Sequence, residues 1–379
     1  VDPLSSKAST ASERKPYKDW FDKAAAVALA TQIDTVHKGF DNKAFVRASV
    51  RNLESLEFND RVKQFAAAMR EHLPPAYPKA IKILVKSLPT MAADAKSVTD
   101  GWLQWPIGQF IADYGTDHLY ESLDAMVEVT QRFSSEFAVR PFVELYRGEV
   151  FEYLTKLTDH KSEHVRRWCS EGTRTRLPWG IKLHQLIKDP SPVWVILDQL
   201  IDDDSEYVRK SVANNINDLS KDHPQQVLKH CRQWKKKSKP GRDWIIKHGL
   251  RTLIKQGDAA ALELTGFAPP SKLHVSLKVL DKKIQLGGSV GMRAIIENRS
   301  DQSQSLMVDY IVHYVRKNNV TNKKVFKWKS VELGSGDKLT LDKKHPMKET
   351  TVRALYKGRH KLEIQINGQR CADAHFMFE

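Results

Sequence analysis

From Arg166 to Trp179 the chain places four arginines, two tryptophans and a glutamate within fourteen residues, as Arg-Arg-Trp-Cys-Ser-Glu-Gly-Thr-Arg-Thr-Arg-Leu-Pro-Trp. Gly172 is expected to end a helix and Pro178 to restrain the loop beyond it. The Glu171 carboxylate, the guanidinium groups of Arg166, Arg167, Arg174 and Arg176, and the Trp179 indole therefore crowd one helix end. A purely structural turn rarely needs such a set. Guanidinium groups suit phosphate, but a carboxylate repels it, so Glu171 implies some other task; at a helix C-terminus it is also electrostatically misplaced. Two more carboxylates have similar company. Glu136 stands four residues before Arg140 and can form an intrahelical ion pair with it, while Pro141 marks a kink or a first turn. Asp218 can serve a site, or it can cap a helix or pair with Lys221. Trp179, likewise, can serve a site or pack beneath its loop.

The elements that must carry these groups are helical. From Lys18 to about Gly266 apolar residues recur three and four apart, as in Trp20 to Val36, Val62 to Leu73 and Tyr120 to Phe133. Three stretches share a Val-Arg opening on a helix: Phe45-Val46-Arg47, His164-Val165-Arg166 and Tyr207-Val208-Arg209. The last two are about 43 residues apart, a period typical of HEAT or armadillo-like helix pairs, which stack into a solenoid with a lined concave face. On the Tyr207 to Lys221 helix one stripe is apolar (Val208, Val212, Leu219). A second stripe holds Tyr207, Ser211, Asn214, Asp218 and Lys221. A helix from Trp244 to Lys255 repeats the idea with Trp244, Lys247, His248, Arg251 and Lys255 on one side. Such residues fix register on a duplex through phosphate, without reading sequence. A solvated face is the plainer reading of one such helix, but several helices present the same mixture. Lys210 and Lys247 can in principle form Schiff bases with an abasic sugar; their phosphate-binding company makes backbone contact the expectation, with no lyase activity.

Charge points the same way. Lys plus Arg is 61 against 46 for Asp plus Glu, a net +15. Most of the excess, +10, lies from Ser271 onward. A polyanionic partner follows, since neutralising phosphates releases condensed counterions. No apolar run approaches a bilayer span, so a membrane protein is excluded. Residues 1–17 lack an apolar signal core and read as a disordered lead-in or an expression scar. Cys169, Cys231 and Cys371 are isolated, without clustered histidines, so neither a disulfide framework nor a metal site is expected, and a cytoplasmic setting fits.

From Leu273 onward the pattern alternates, as in His274 to Val279, Arg293 to Ile296, Val308 to Tyr314 and Lys361 to Ile366, with turn formers between. This predicts a β-sandwich of immunoglobulin type, without the cysteine pair of antibody domains. The fold class is thus multidomain α + β: an N-terminal all-α HEAT-like repeat solenoid (18–267), a linker (268–271) broken by Pro269 and Pro270, and a small all-β sandwich (272–379).

Five segments in this order resemble the AlkC branch of the AlkC/AlkD family of alkylpurine DNA glycosylases: Arg132 to Phe142, His164 to Gly172, Arg176 to Trp179, Tyr207 to Asp218 and Trp244 to His248. The sandwich resembles the immunoglobulin-like extension of some AlkC proteins. Thr175 departs from an expected proline. The resemblance implies a concave groove that cradles duplex DNA and removes N3-alkylated bases, chiefly 3-methyladenine and 3-methylcytosine, by bending the duplex rather than flipping the base. It also implies catalytic roles for Glu136, Glu171, Asp218 and Trp179. DNA contacts are expected from Arg140, Arg166, Arg167, Arg174, Arg176, Tyr207, Lys210, Ser211, Asn214, Lys221, Trp244, Lys247, His248, Arg251 and Lys255. No cofactor or metal is expected. The partner is alkylated duplex DNA, the protein a monomer, and its place the cytoplasm, at sites of damage on a bacterial nucleoid. A non-catalytic HEAT-repeat DNA-binding scaffold is the alternative.

The chemistry implied by the resemblance suits these groups. N3-alkylation makes the base cationic and a good leaving group, so little acid catalysis is needed. The bond breaks through an oxocarbenium-like state, which carboxylates can stabilise while holding water. Trp179 can lay its π face on the sugar or the cationic base.

Overall fold

A computed structural model of the chain describes residues 16–90, 98–237, 239–317, 320–350 and 354–379. The expected lead-in lies outside these except at its end, where Tyr17 opens a 3-10 turn, Tyr17–Trp20. Contacts divide the chain into two compact units that meet between Leu219 and Ser220. Up to Gly266 the described regular elements are all helical; strands follow from Leu273.

Amphipathic spacing builds the first unit. Helix Lys23–Asp34 buries Ala26, Leu29, Ala30 and Ile33, and Asp22 caps it by accepting from the Ala25 amide at 3.0 Å. Helix Phe58–His72 buries Val62, Phe65, Ala66 and Met69 in the same rhythm. The two helices that share the 43-residue spacing, Glu163–Glu171 and Glu206–Leu219, pack on each other. Their Val-Arg pairs have a common job. Arg166 Nη1 donates to the carbonyls of His160 and Lys161 (2.8 and 3.3 Å), and Arg209 Nη1 to those of Asp203 and Asp204 (2.5 and 2.8 Å). Each arginine thus closes the loop leading into its own helix. The third pair does not belong to this pattern: Val46-Arg47 lies at the C-terminal end of helix Asn42–Ser49, with Arg47 in its last turn.

The second unit begins with helices Pro224–Lys236, Arg242–Gly249, Arg251–Gln256 and Ala259–Leu264. The single helix expected from Trp244 to Lys255 is therefore two, broken where Leu250 caps the first. Eight strands follow: β1 (Leu273–Val279), β2 (Lys283–Ile284), β3 (Ser289–Asn298), β4 (Gln304–Val315), β5 (Thr321–Leu333), β6 (Lys338–Pro346), β7 (Gly358–Ile366) and β8 (Gln369–Phe378). They form a sheet β1-β3-β6 and a sheet β2-β8-β7-β4-β5, the sandwich expected from alternation. Val290, Met292, Val308, Val312, Leu362 and Ile364 lie in its core. His345 of β6 bridges the Tyr310 and Tyr314 hydroxyls of β4 at 3.0 and 2.7 Å, satisfying three buried polar groups between the sheets.

The expected linker is fastened rather than free. The Gln304 side chain accepts from the Ser271 amide and donates to the Ser271 carbonyl, both at 2.8 Å, and Asn367 donates to the Ala268 carbonyl at 2.7 Å. Gly257, which ends Arg251–Gln256, and Gly368, in the β7–β8 turn, both have positive φ, and their backbones meet so closely that a Cβ on either would lie within 3 Å of the other. Glycine is required at both positions. These contacts join the last helices to the sandwich in one unit.

Candidate active site

The three carboxylates singled out in the sequence lie in the first unit and are interleaved with two arginines. Glu136 precedes helix Arg140–Leu145, Glu171 ends Glu163–Glu171, and Asp218 lies in the last turn of Glu206–Leu219. Arg167 donates through Nη1 to Glu136 Oε2, with Nη2 at 3.4 Å from Glu171 Oε1. Arg174 donates through Nη1 to Glu171 Oε1 (2.5 Å) and through Nε to Asp218 Oδ2 (2.8 Å). The order is thus Glu136, Arg167, Glu171, Arg174, Asp218, with charges alternating. Ser134 donates to Glu136 at 2.7 Å and Ser211 to Glu171 at 2.6 Å. The Arg167 guanidinium lies over the Tyr207 ring at 5.1 Å.

Burial gives these charges weight, because few waters compete inside. Glu171 and Asp218 are 5% and 2% exposed. Burial alone would raise the Glu171 carboxyl, but Arg167 and Arg174, helped by Ser211, hold it below its ordinary value. Burial pulls Arg167 down, yet Glu136 and Glu171 carry it above the usual guanidinium value; Glu171 and Asp218 do the same for Arg174. Glu171, Arg167 and Arg174 therefore stay ionised at neutral pH.

Glu136 and Asp218 both have partners from far along the chain. Glu136 takes Arg167 rather than Arg140, and Asp218 takes Arg174, because tertiary packing brings partners 31 and 44 residues away into reach. Arg140 is not a surface cation: it is 0% exposed and donates to the carbonyls of Ile181 (2.6 Å), Gly172 (3.2 Å) and Arg174 (2.9 Å). Burial, then Arg174, depress its pKa to about 10. Pro141 takes the first-turn position. Four other expected DNA contacts are likewise engaged inside the protein. Arg166 forks onto Asp203 at 2.6 and 3.0 Å, Arg167 and Arg174 serve the carboxylates, and buried Ser211 donates to Glu171. Tyr207 is half-buried beside Arg167. Lys210 is exposed, and Arg176 and Asn214 are half-buried. In the second unit Lys221, Trp244, Lys247 and Lys255 are exposed, with Trp244 stacked on His248 at 5.0 Å and Arg251 donating to the His248 carbonyl at 2.6 Å.

Trp179 is 68% exposed and holds a left-handed φ of 66°. It is not packed beneath its loop. Its ring meets Tyr17 and Phe58 edge-on or tilted at 6.4 and 6.1 Å, and Phe58 continues to Trp105, which stacks on Phe137 at 5.1 Å. This aromatic group was not legible from spacing, since its members come from distant segments. Ser134 was also missed, although it lies two residues before Glu136. Among the described residues no cluster of His, Cys, Asp or Glu could hold a metal ion.

Comparison with known proteins adds three findings. Residues 274–379 match the family model described as "Uncharacterised protein YhaZ, C-terminal Ig-like domain". The chain is 38% identical to the protein YhaZ of Bacillus subtilis (strain 168) over 316 residues, 83% of this chain and 85% of the relative. It also matches the solved structure of the Pseudomonas fluorescens alkylpurine DNA glycosylase AlkC bound to DNA containing an abasic site analog. There the identity is 31% and the TM-score 0.88, over 96% of this chain and all of that one. The chain belongs to the AlkC family. The match spans the AlkC-like helical repeat and the immunoglobulin-like domain alike.

Proposed function

We propose that this AlkC-family protein is a monofunctional DNA glycosylase that hydrolyses the N-glycosidic bond of cationic N3-alkylated bases, 3-methyladenine and 3-methylcytosine, in duplex DNA without base flipping. The observation that carries the reading is the alternating row of three carboxylates and two guanidinium groups. Carboxylates outnumber the arginines that bridge them by one. Such a row suits a single positive charge, whether on the damaged base or on the sugar as the bond breaks. Fixed in place by their arginines, Glu136, Glu171 and Asp218 need little reorganisation as charge moves onto the sugar, and together they hold the attacking water. Trp179 supplies a π face for the cation or the deoxyribose. A neutral, undamaged base is a poor leaving group and stays. The relative solved with DNA containing an abasic site analog supports DNA binding here.

Phosphate contacts come from exposed cations. Lys210, Lys221, Lys247 and Lys255 supply some, and Lys323, Lys324, Lys327 and Lys329 line β5, an edge strand of the sandwich. The protein works as a monomer in the cytoplasm, on the nucleoid at sites of damage; among the described residues no helix is long and apolar enough to cross a membrane. Incubation with N3-methylated duplex DNA tests the reading. Release of 3-methyladenine and 3-methylcytosine, but not of undamaged bases, supports it. Tight duplex binding with no release favours the non-catalytic scaffold.

A further inference from the structure

Two residues beyond Trp179, one side chain has no task in the reaction described above. Ile181 is 56% exposed, on the loop that also carries Trp179. Between them Gly180 faces inward. A Cβ there would meet Arg140 Nε at 3.1 Å and Leu177 at 3.3 Å, so the loop lies on the Arg140 side chain at Gly180 and presents its neighbours to solvent.

The loop is held unusually firmly for one bearing two exposed apolar side chains. Arg140 grips its start through the Gly172 and Arg174 carbonyls and its far side through the Ile181 carbonyl. The Gly180 amide donates to the Leu177 carbonyl (3.1 Å) and the Leu183 amide to that of Thr175 (3.2 Å), tying the loop across itself. The left-handed Trp179 backbone is strained, and such anchoring offsets the strain. An isoleucine, branched at Cβ, also loses little rotamer freedom on contact. Rigid apolar side chains of this kind enter between base steps, unstack them and kink the duplex.

We propose that Ile181 is a wedge that inserts into the base stack beside the damaged nucleotide, with Trp179 as its neighbour, and that Arg140 is the positioning residue that holds the wedge. The choice of duplex DNA as the partner rests on the glycosylase reading. Arg140 acts through the backbone of the loop and touches no substrate. Its burial keeps the Arg140 guanidinium from the surface.

The test uses the full chain and a duplex with a tetrahydrofuran abasic analogue next to 2-aminopurine, whose fluorescence rises when it unstacks. Saturating wild-type protein is expected to raise the signal several-fold. Ile181→Ser is expected to lose most of the rise, while Ile181→Leu, which keeps apolar bulk, retains it. Arg140→Lys keeps a charge but cannot reach three carbonyls, and is expected to fall with Ile181→Ser. A full rise with Ile181→Ser, or no rise with wild type bound, overturns the wedge; a full rise with folded Arg140→Lys overturns the positioning role. Base release is measured separately. Release without unstacking refutes the wedge and leaves the glycosylase reading standing, and unstacking without release does the reverse.

Discussion

Replacing Arg174 with methionine should destabilise the protein strongly at neutral pH and much less in mild acid. Arg174 donates to Glu171 at 2.5 Å and to Asp218 at 2.8 Å, and all three residues are at most 7% exposed. Water cannot replace the lost partner. Removing one member of such a buried ion pair costs about 3–5 kcal/mol, the lower end being apt because Arg167 remains 3.4 Å from Glu171. The pH dependence follows from Glu171, whose carboxyl is held below its ordinary value although burial pushes the other way. In the wild type this contributes stability that is present above the unfolded carboxyl value and is lost as pH falls through the depressed folded value. Without Arg174 burial gains ground and the Glu171 carboxyl rises, so protonation relieves part of the strain. Urea unfolding of wild type, Arg174→Met and Arg174→Lys at about pH 7.5 and about pH 5 measures this. The gap between wild type and Arg174→Met should shrink at the lower pH. A gap under about 1 kcal/mol at the higher pH, as for a surface pair, or an equal gap at both, refutes the reasoning.

Other perturbations have clear signs. Burial raises the Asp309 carboxyl to about 6, so the folded state binds its proton more tightly than the unfolded chain, and stability falls as pH rises from about 4 through about 6. Asp309→Asn should therefore stabilise by about 1–2 kcal/mol at neutral pH and by little near about pH 4 in thermal or urea unfolding. Gly257→Val should loosen the junction between the last helices and the sandwich, because the added atoms collide with Gly368 and the φ of 84° strains the residue; a loss of about 2 kcal/mol or more, with faster proteolysis near Ala268, is expected. Deleting the chain beyond Pro270, or changing Lys323, Lys324, Lys327 and Lys329 together to alanine, should weaken duplex binding and flatten its salt dependence, measured by anisotropy across salt. An unchanged salt slope would remove the sandwich from the DNA interface.

Local patterns showed the elements and left the pairings hidden. The 3.6-residue rhythm located helices such as Phe58–His72, and alternation located β4 and β7, because each pattern reports which face of one element is buried. The carboxylates and Trp179 were legible as residue types in odd company. Their partners were not, since Arg167 and Arg174 reach Glu136 and Asp218 only through packing of helices far apart in sequence. The same limit explains the arginines expected at the surface. An arginine motif looks alike whether it meets phosphate or, like Arg140 and Arg166, closes a loop by binding carbonyls. The first helix ends on Gly249, directly before its cap at Leu250, a stop signal that the one-sided spacing of Trp244, Lys247, His248, Arg251 and Lys255 masked.

The central claim is that fixed carboxylates stabilise a cationic leaving base and the sugar it departs from. Single-turnover release of 3-methyladenine from duplex DNA by wild type and Glu171→Gln, with binding to the abasic analogue measured alongside, tests it most directly. The account predicts release at least about 100-fold slower for the variant, with binding changed only a few-fold. Equal rates for the two proteins, or a loss of binding as large as the loss of rate, would contradict it.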